Sequence, residues 1–354
     1  MHPHSGVQKR LFRGLIWTSS GLIFDMMKHL SILVPDGQSN MSTVACIVGA
    51  FEFFTDANGY RRKSGKNGLF TIDLVGASEK SEVLNGLVTI KPTKAILSVN
   101  RTDLIIVPSS LIRNYENATP GNQQLMDWLN QQSSKGTEIA SMCTGAFTLA
   151  AAGLLDGRNC STHWAVENNF KSLYPKVNMQ TERLIIDENG ICTNGGAYSF
   201  LNLLIYLVEK YYDKETAIYC SKIFQVEIDR QSQSTFSIFN GQKQHNDEVI
   251  REAQQYIEGN AAEKLSVEHL SARFAVGRRH FDRRFIKATG NTPLEYMQRV
   301  KIETAKRAFE GSNKTVNEVM YGVGYSDQKA FREVFRKVTG LSPLEYRTRY
   351  NKNA

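Results

Sequence analysis

The chain has 354 residues, enough for two ordinary domains, and its 41% hydrophobic and 22% charged content is that of a globular protein rather than a disordered or fibrous one. Cys46, Cys143, Cys160, Cys192 and Cys220 are widely spaced and fit no zinc or redox motif, so reduced thiols are expected and neither a metal nor a cofactor is implied; no apolar run reaches membrane-spanning length. The net charge of +8 is uneven: residues 243–354 hold 21 Lys and Arg against 14 Asp and Glu, and the rest holds 22 against 21, so the basic excess lies in the C-terminal third, as in a phosphate-facing domain.

In chain order, residues 1–28 carry basic residues and then a short apolar stretch without a small-residue cleavage site. They read as a flexible extension, with Met26 or Met27 as a natural start. HLSILVP (29–35) is a buried strand ending at the turn Pro35-Asp36-Gly37. Residues 43–54 read as a helix whose Phe51, Phe53 and Phe54 pack inward, and RRKSGK (61–66) as a solvated loop. LFTIDLVGA (69–77) and LIIVPSS (104–110) are strands, and 121–133 is a helix carrying Leu125, Trp128 and Leu129. EIASMC (138–143) is a strand and GAFTLAAAGLL (145–155) a helix. LIID (184–187) and ICTN (191–194) are short strands, and SFLNLLIYLVEKYY (199–212) is an apolar helix. Continuous apolar strands alternating with helices imply a flavodoxin-like α/β domain over 29–225, a mostly parallel sheet sandwiched by helices, with its ligand site at the carboxyl ends of the strands.

At that sheet edge SMCTGAF passes from strand to helix through one sharp turn, the geometry of a nucleophile elbow with Cys143 in the place of serine. A helix N-terminus favours the thiolate. His163, in STHWAV, follows at a distance that can return it to the same edge. Asn194-Gly195-Gly196 is either a close backbone approach to the pocket or a tight turn, and Trp164 reads as core.

Residues 226–245 are polar, rich in Gln and Ser, and read as an interdomain linker. A helix then starts near Asn246, with Val249, Ile250, Ala253 and Ile257 inward. Beyond it lies a repeat. Phe281, Phe285, Thr289, Gly290, Pro293, Leu294, Glu295 and Tyr296 recur fifty residues later as Phe331, Phe335, Thr339, Gly340, Pro343, Leu344, Glu345 and Tyr346. Each copy is two short helices around a turn, capped by Ser266 or Thr315 and stopped by Gly290 or Gly340. The domain 246–354 is therefore all-α with two helix-turn-helix units joined by a helix from about Leu294 to Phe309. Its second helices display Arg278, Arg279, Arg283, Arg284 and Lys287 in one copy, and Gln328, Lys329, Arg332, Arg336 and Lys337 in the other. Such side chains read base edges and neutralise phosphates in double-stranded DNA. Spacing from the buried Phe281 and Phe331, together with the family resemblance carried by the runs that follow, turns Arg279, Asp282, Arg283, Gln328, Lys329 and Arg332 toward the bases, with Arg278 and Arg336 completing the DNA-binding set.

The runs RVKIETAKRAFE, VMYGVGYSDQKAFREVFRKVTG and LSPLEYR make residues 246–350 resemble the DNA-binding domain of the AraC family of transcription regulators. The segment from Ser141 to Trp164 resembles the PfpI-like domain of the class I glutamine amidotransferase-like superfamily, and the combination resembles the GlxA group of regulators. Enzymes of the PfpI-like type carry a Glu near the end of the first strand that contacts the Cys. Here the matching position is Asn40, with Asp36 the nearest carboxylate, so Cys143 and His163 read as a non-catalytic pair. The elbow then shapes an effector pocket lined by Cys143, Thr144, Gly145, His163, Asn40, Gly195 and Gly196. The chain therefore reads as a cytoplasmic, dimeric regulator whose partners are double-stranded DNA, a small effector and RNA polymerase; the resemblance implies an effector such as a nitrogenous metabolite. The alternative is a PfpI-like cysteine hydrolase or deglycase-type enzyme fused to a DNA-binding domain.

Overall fold

Short, continuous apolar runs form the central strands of the N-terminal part, as strands covered on both faces require. The computed structural model describes residues 27–36, 39–83, 86–112, 120–243 and 245–351, so apart from Met27 and Lys28 the expected extension lies outside them, as does Gly37 of the expected turn. The chain divides into two units, with the boundary between Gln231 and Ser232.

The strands of the first unit are β1 (Lys28–Val34), β2 (Phe70–Gly76), the hairpin β3 (Ser81–Val83) and β4 (Val88–Ile90), β5 (Lys94–Ala95), β6 (Leu104–Val107) and β7 (Glu138–Ser141). The parallel pair β8 (Asn159–Cys160) and β9 (Asn178–Met179) follows, then β10 (Ile185–Glu188) and β11 (Ile191–Asn194). Among the described residues, seven of these make one sheet in the order β10-β11-β7-β6-β1-β2-β5. Its pairings are parallel except β10 with β11. Ile32 lies opposite Leu74 on one side and Ile106 on the other, and Ile106 opposite Ala140.

Alternation along the strands feeds two cores. Leu30, Ile32, Leu104 and Ile106 join the core beneath α1 (Met41–Lys63), α5 (Phe200–Tyr211) and α6 (Lys214–Phe224). Leu33, Ile105, Val107 and Ile139 join the opposite core beneath α2 (Pro120–Ser134), α3 (Ala146–Ala151) and α4 (Glu167–Leu173). α1 runs well beyond the expected 43–54 and takes in Arg61, Arg62 and Lys63 of the stretch expected as a loop. No proline interrupts it, and the buried Asn58 amide bonds Leu69 N and Phe70 O at the start of β2. Phe53 and Phe54 are core, whereas Phe51 falls on the outer face of α1 and is 41% exposed. The helix expected at 145–155 is shortened by a 3-10 turn at Cys143–Gly145 and by Gly153, whose φ of 74° suits glycine beyond a helix end.

The second unit is built from α7 (Glu248–Gly259), α8 (Val267–Arg273), α9 (Arg278–Thr289), α10 (Pro293–Gly311), α11 (Val316–Gly322), α12 (Gln328–Thr339) and α13 (Pro343–Tyr350). Ser266 caps α8, Thr315 and Glu318 form a capping box on α11, and Gly290 and Gly340 end α9 and α12 in the left-handed conformation. α10 serves both halves. Its Tyr296, Met297 and Val300 close the first core with Phe281 and Phe285, and its Ile302, Ala305 and Phe309 close the second with Phe331 and Phe335. The repeat extends to a polar contact: the Tyr296 hydroxyl donates to Glu258 Oε1 at 2.6 Å, and the Tyr346 hydroxyl to Glu310 Oε1.

The stretch expected as a linker, 226–245, is instead divided between the units. Asn202 Nδ2 donates to Glu227 O, and Leu184 N to Gln231 O, within the first. From Ser234 onward the segment packs against the second unit, with Phe239 edge-on to Tyr296. Its polar composition concealed this because polar side chains such as Thr235 and Gln242 and backbone groups such as Ser237 O find their partners only in the folded unit.

Candidate functional site

The expected site residues fall in two places: the elbow of the first unit and the outer faces of α9 and α12 in the second. At the elbow, β7 ends at Ser141, Met142 stays extended, and Cys143 turns left-handed at φ 53°. A non-glycine residue there stores about 1–3 kcal/mol of strain, which the surroundings must hold. They hold it from three sides. The Thr144 hydroxyl donates to Ser110 O at 2.6 Å and accepts from Ser110 N at 3.1 Å, binding the elbow to the loop after β6. Thr162 Oγ1 donates to Cys143 O at 2.8 Å. Gly145 passes so close to that loop that a Cβ would lie 2.6 Å from the carbonyl oxygens of Val107 and Pro108.

Cys143 is only 6% exposed. Cys46, from the inner face of α1, is buried nearby. Burial pushes its thiol up to about 12, outweighing a hydrogen bond with the Ser109 backbone, and the neighbouring Cys143 pushes it further. His163 stands one residue beyond Thr162. Its Nδ1 accepts from Ala165 N at 3.1 Å, so the neutral ring carries its proton on Nε2. Gly196 lies flat against this ring: a Cβ there would fall 2.0 Å from His163 Cδ2. Gly195 N donates to Leu184 O at 2.8 Å, and the half-buried Trp164 leans on His163 at 5.4 Å between ring centroids.

Asn40 sits at the N-cap of α1, where its Oδ1 accepts from Thr43 N and Thr43 Oγ1 in a capping box. Asp36 accepts from Ser78 Oγ at 2.8 Å. Both side chains are therefore engaged locally. Cys46, Thr162 and Ser110 were missed from the sequence. Thr162 adjoins His163 and was within reach of motif reading, whereas the other two become neighbours only through the fold. Among the described residues no group of His, Cys, Asp and Glu could hold a metal ion.

On the second unit Phe281, Phe285, Phe331 and Phe335 are fully buried, which sets the outward faces of α9 and α12. Arg279, His280, Arg283 and Lys287 are exposed on α9, and Gln328, Lys329, Arg332, Arg336 and Lys337 on α12. His280 went unremarked in the sequence. Arg278 pairs with both Glu268 and Asp282 and is itself exposed. Gln328 Nε2 donates to Asn317 Oδ1 at 2.8 Å. Arg284, expected on the displayed face, is half-buried. It forks Asp247, the N-cap of α7, through Nε at 2.8 Å and Nη2 at 2.6 Å. That contact holds the Asp247 carboxyl below the usual carboxylate range and makes Arg284 a brace between helices.

Two family models match the chain: the DJ-1/PfpI family over residues 61–210 and a helix-turn-helix domain over residues 270–349. The HTH-type transcriptional regulator GbdR of Pseudomonas aeruginosa is 26% identical over 221 residues, covering 62% of this chain and 60% of that protein. The HTH-type transcriptional regulator GlxA of Rhizobium meliloti is 26% identical over 226 residues, covering 62% of this chain and 68% of that protein. The crystal structure of an AraC family transcriptional regulator from Pseudomonas putida is 18% identical, covers 56% of this chain and 99% of its own, and superposes with a TM-score of 0.45. The match thus spans 60% of the length of GbdR. No helix among the described residues is long and apolar enough to cross a membrane.

Proposed function

We propose that this chain, a DJ-1/PfpI-family domain followed by an AraC-type helix-turn-helix domain, is a sequence-specific transcription regulator acting on double-stranded DNA. One observation carries the reading. Two equivalent helices, α9 and α12, each bury a Phe pair and turn a row of basic side chains outward. In this reading they enter successive major grooves, about 34 Å apart. Arg279, Asp282, Arg283, Gln328, Lys329 and Arg332 face the bases, and Arg278 and Arg336 complete the contact set. The first unit senses a small molecule, of the nitrogenous-metabolite class, at the elbow gathered around Cys143, Thr144, Gly145, His163 and Gly196, with Asn40 and Gly195 at its margin. The regulator works in the cytoplasm as a homodimer, with RNA polymerase as a further partner.

The elbow favours sensing over turnover. A thiol nucleophile needs a base that can accept its proton. The neutral His163 ring has its acceptor nitrogen committed to Ala165 N, which leaves a donor at Nε2. Asp36 and Asn40, on the loop where the enzymes carry Glu, are engaged with Ser78 and Thr43. The test is selection of duplexes from a random pool by the full-length protein. It should enrich one sequence pattern, with affinity that falls as salt rises. Equal binding of all duplexes would refute sequence-specific regulation.

A further inference from the structure

The segment 234–243, which precedes the first helix of the second unit, is fastened to both of its halves. Thr235 Oγ1 donates to Thr339 O at 3.0 Å, at the end of α12. The Tyr350 hydroxyl reaches Thr235 O at 3.4 Å. In the middle, Lys306 Nζ donates to Ser237 O at 2.6 Å, and Phe239 N donates to Glu303 Oε2 at 3.2 Å. Further on, Phe239 meets Tyr296 edge-on at 5.1 Å, and Gln242 Oε1 accepts from Asn291 Nδ2 at 3.0 Å, just past the end of α9. Lys243 closes the series on Glu258 at 2.6 Å. The segment thus bonds close to the C-terminal ends of both outward-facing helices, at Thr339 of α12 and at Asn291 just past α9.

Two features mark this as a built seat. Glu303 and Lys306 of α10 are 9% and 4% exposed and paired at 2.8 Å. A buried ion pair is tolerated when its remaining hydrogen-bonding capacity is met, and the backbone of residues 237–239 meets it. Gly241 adopts φ 69°, and a Cβ there would lie 2.3 Å from the Tyr296 hydroxyl oxygen, so only glycine lets the segment lie down.

We propose that this strap is a positioning element of DNA recognition: it fixes the spacing and rotation of α9 relative to α12. The two halves have separate cores and share α10, so a second connection across them removes the remaining freedom between the recognition helices. The inference rests on the DNA-binding reading above.

The experiment uses the full chain and a duplex enriched by the wild type from a random pool, together with the same duplex carrying one or two extra base pairs between the two contacted elements. Each base pair rotates the second element by about 35°. The wild type should lose about tenfold or more in affinity on insertion, since it cannot follow the displaced element. Phe239→Ala, Gly241→Ala and Thr235→Val should bind the parent duplex more weakly and lose only about threefold on insertion, with Thr235→Val showing the smallest change. Circular dichroism checks folding; Thr235→Val leaves both cores intact and keeps the test open where Gly241→Ala does not fold. An undiminished insertion penalty in folded Phe239→Ala and Thr235→Val proteins overturns the inference. A wild type that enriches no duplex overturns it together with the DNA-binding reading.

Discussion

Phe335→Ala isolates the second helical core. The ring is fully buried and meets three others, Phe309 at 5.7 Å, Phe331 at 5.7 Å and Tyr346 at 5.5 Å, with interplanar angles of 77°, 56° and 79°. None of these neighbours can readily fill the space. Phe331 is one turn back on the same helix, Phe309 is set in α10, and Tyr346 is tethered through its hydroxyl to Glu310. The cost should therefore lie toward the upper part of the usual range for deleting a buried Phe, about 3–5 kcal/mol. For a unit of this size the loss corresponds to a fall of about 10–20 °C in melting midpoint. All three tryptophans, Trp17, Trp128 and Trp164, precede residue 231, so two signals separate the units. Far-ultraviolet circular dichroism should show an early transition from the helical unit, while the tryptophan emission transition stays in place. Well below the early transition, affinity for the selected duplex should stay within about threefold of wild type, because none of the side chains proposed to face DNA changes. A dichroism transition within about 3 °C of wild type would refute the packing argument, because it would mean that the core closes over the deletion.

Arg283→Ala should cost about 1–3 kcal/mol on the selected duplex and relax preference at one position; an equal loss on random DNA would make Arg283 a phosphate contact. Cys143→Trp should abolish the effector response of DNA binding and leave basal affinity intact, measured as duplex affinity with and without the effector found by thermal shift; an undiminished response would remove the elbow from sensing. Gly196→Ala should displace the His163 ring, with which a Cβ cannot coexist, and lower effector affinity while duplex affinity without effector is unchanged; a wild-type effector titration would exclude the ring from the site. At Asp73, desolvation opposes the charge, but hydrogen bonds from Lys94, His29 and Thr93 outweigh it and hold the carboxyl down at about 2. A depressed carboxylate stabilises above its unfolded pKa and loses that contribution as pH falls. Asp73→Asn should therefore destabilise the first unit by on the order of 2 kcal/mol at neutral pH, with the gap closing between about pH 4 and pH 2. Urea unfolding followed by tryptophan emission measures it, and a gap that persists unchanged at low pH would contradict the assignment.

Much of this was legible in the residues because it is local. Caps at Ser266 and Thr315, glycine stops at Gly290 and Gly340 and the Phe pairs of the repeat are decided within one or two helical turns. The elbow at Cys143 was legible for the same reason, since a strand running into a helix through Cys-Thr-Gly leaves few backbone routes. The shortening of α3 and the emergence of α6 depended on packing that periodicity does not report. Arg284 looked like its exposed neighbours until Asp247, 37 residues earlier, claimed it. The stretch expected as a linker became a strap because Thr235 finds Thr339 across 104 positions and Ser237 finds Lys306 across 69. Local sequence determined the elements and their ends, since propensity and capping act over a few residues. Tertiary structure alone decided which polar groups would be partners, because those contacts exist only once distant parts of the chain have been folded together.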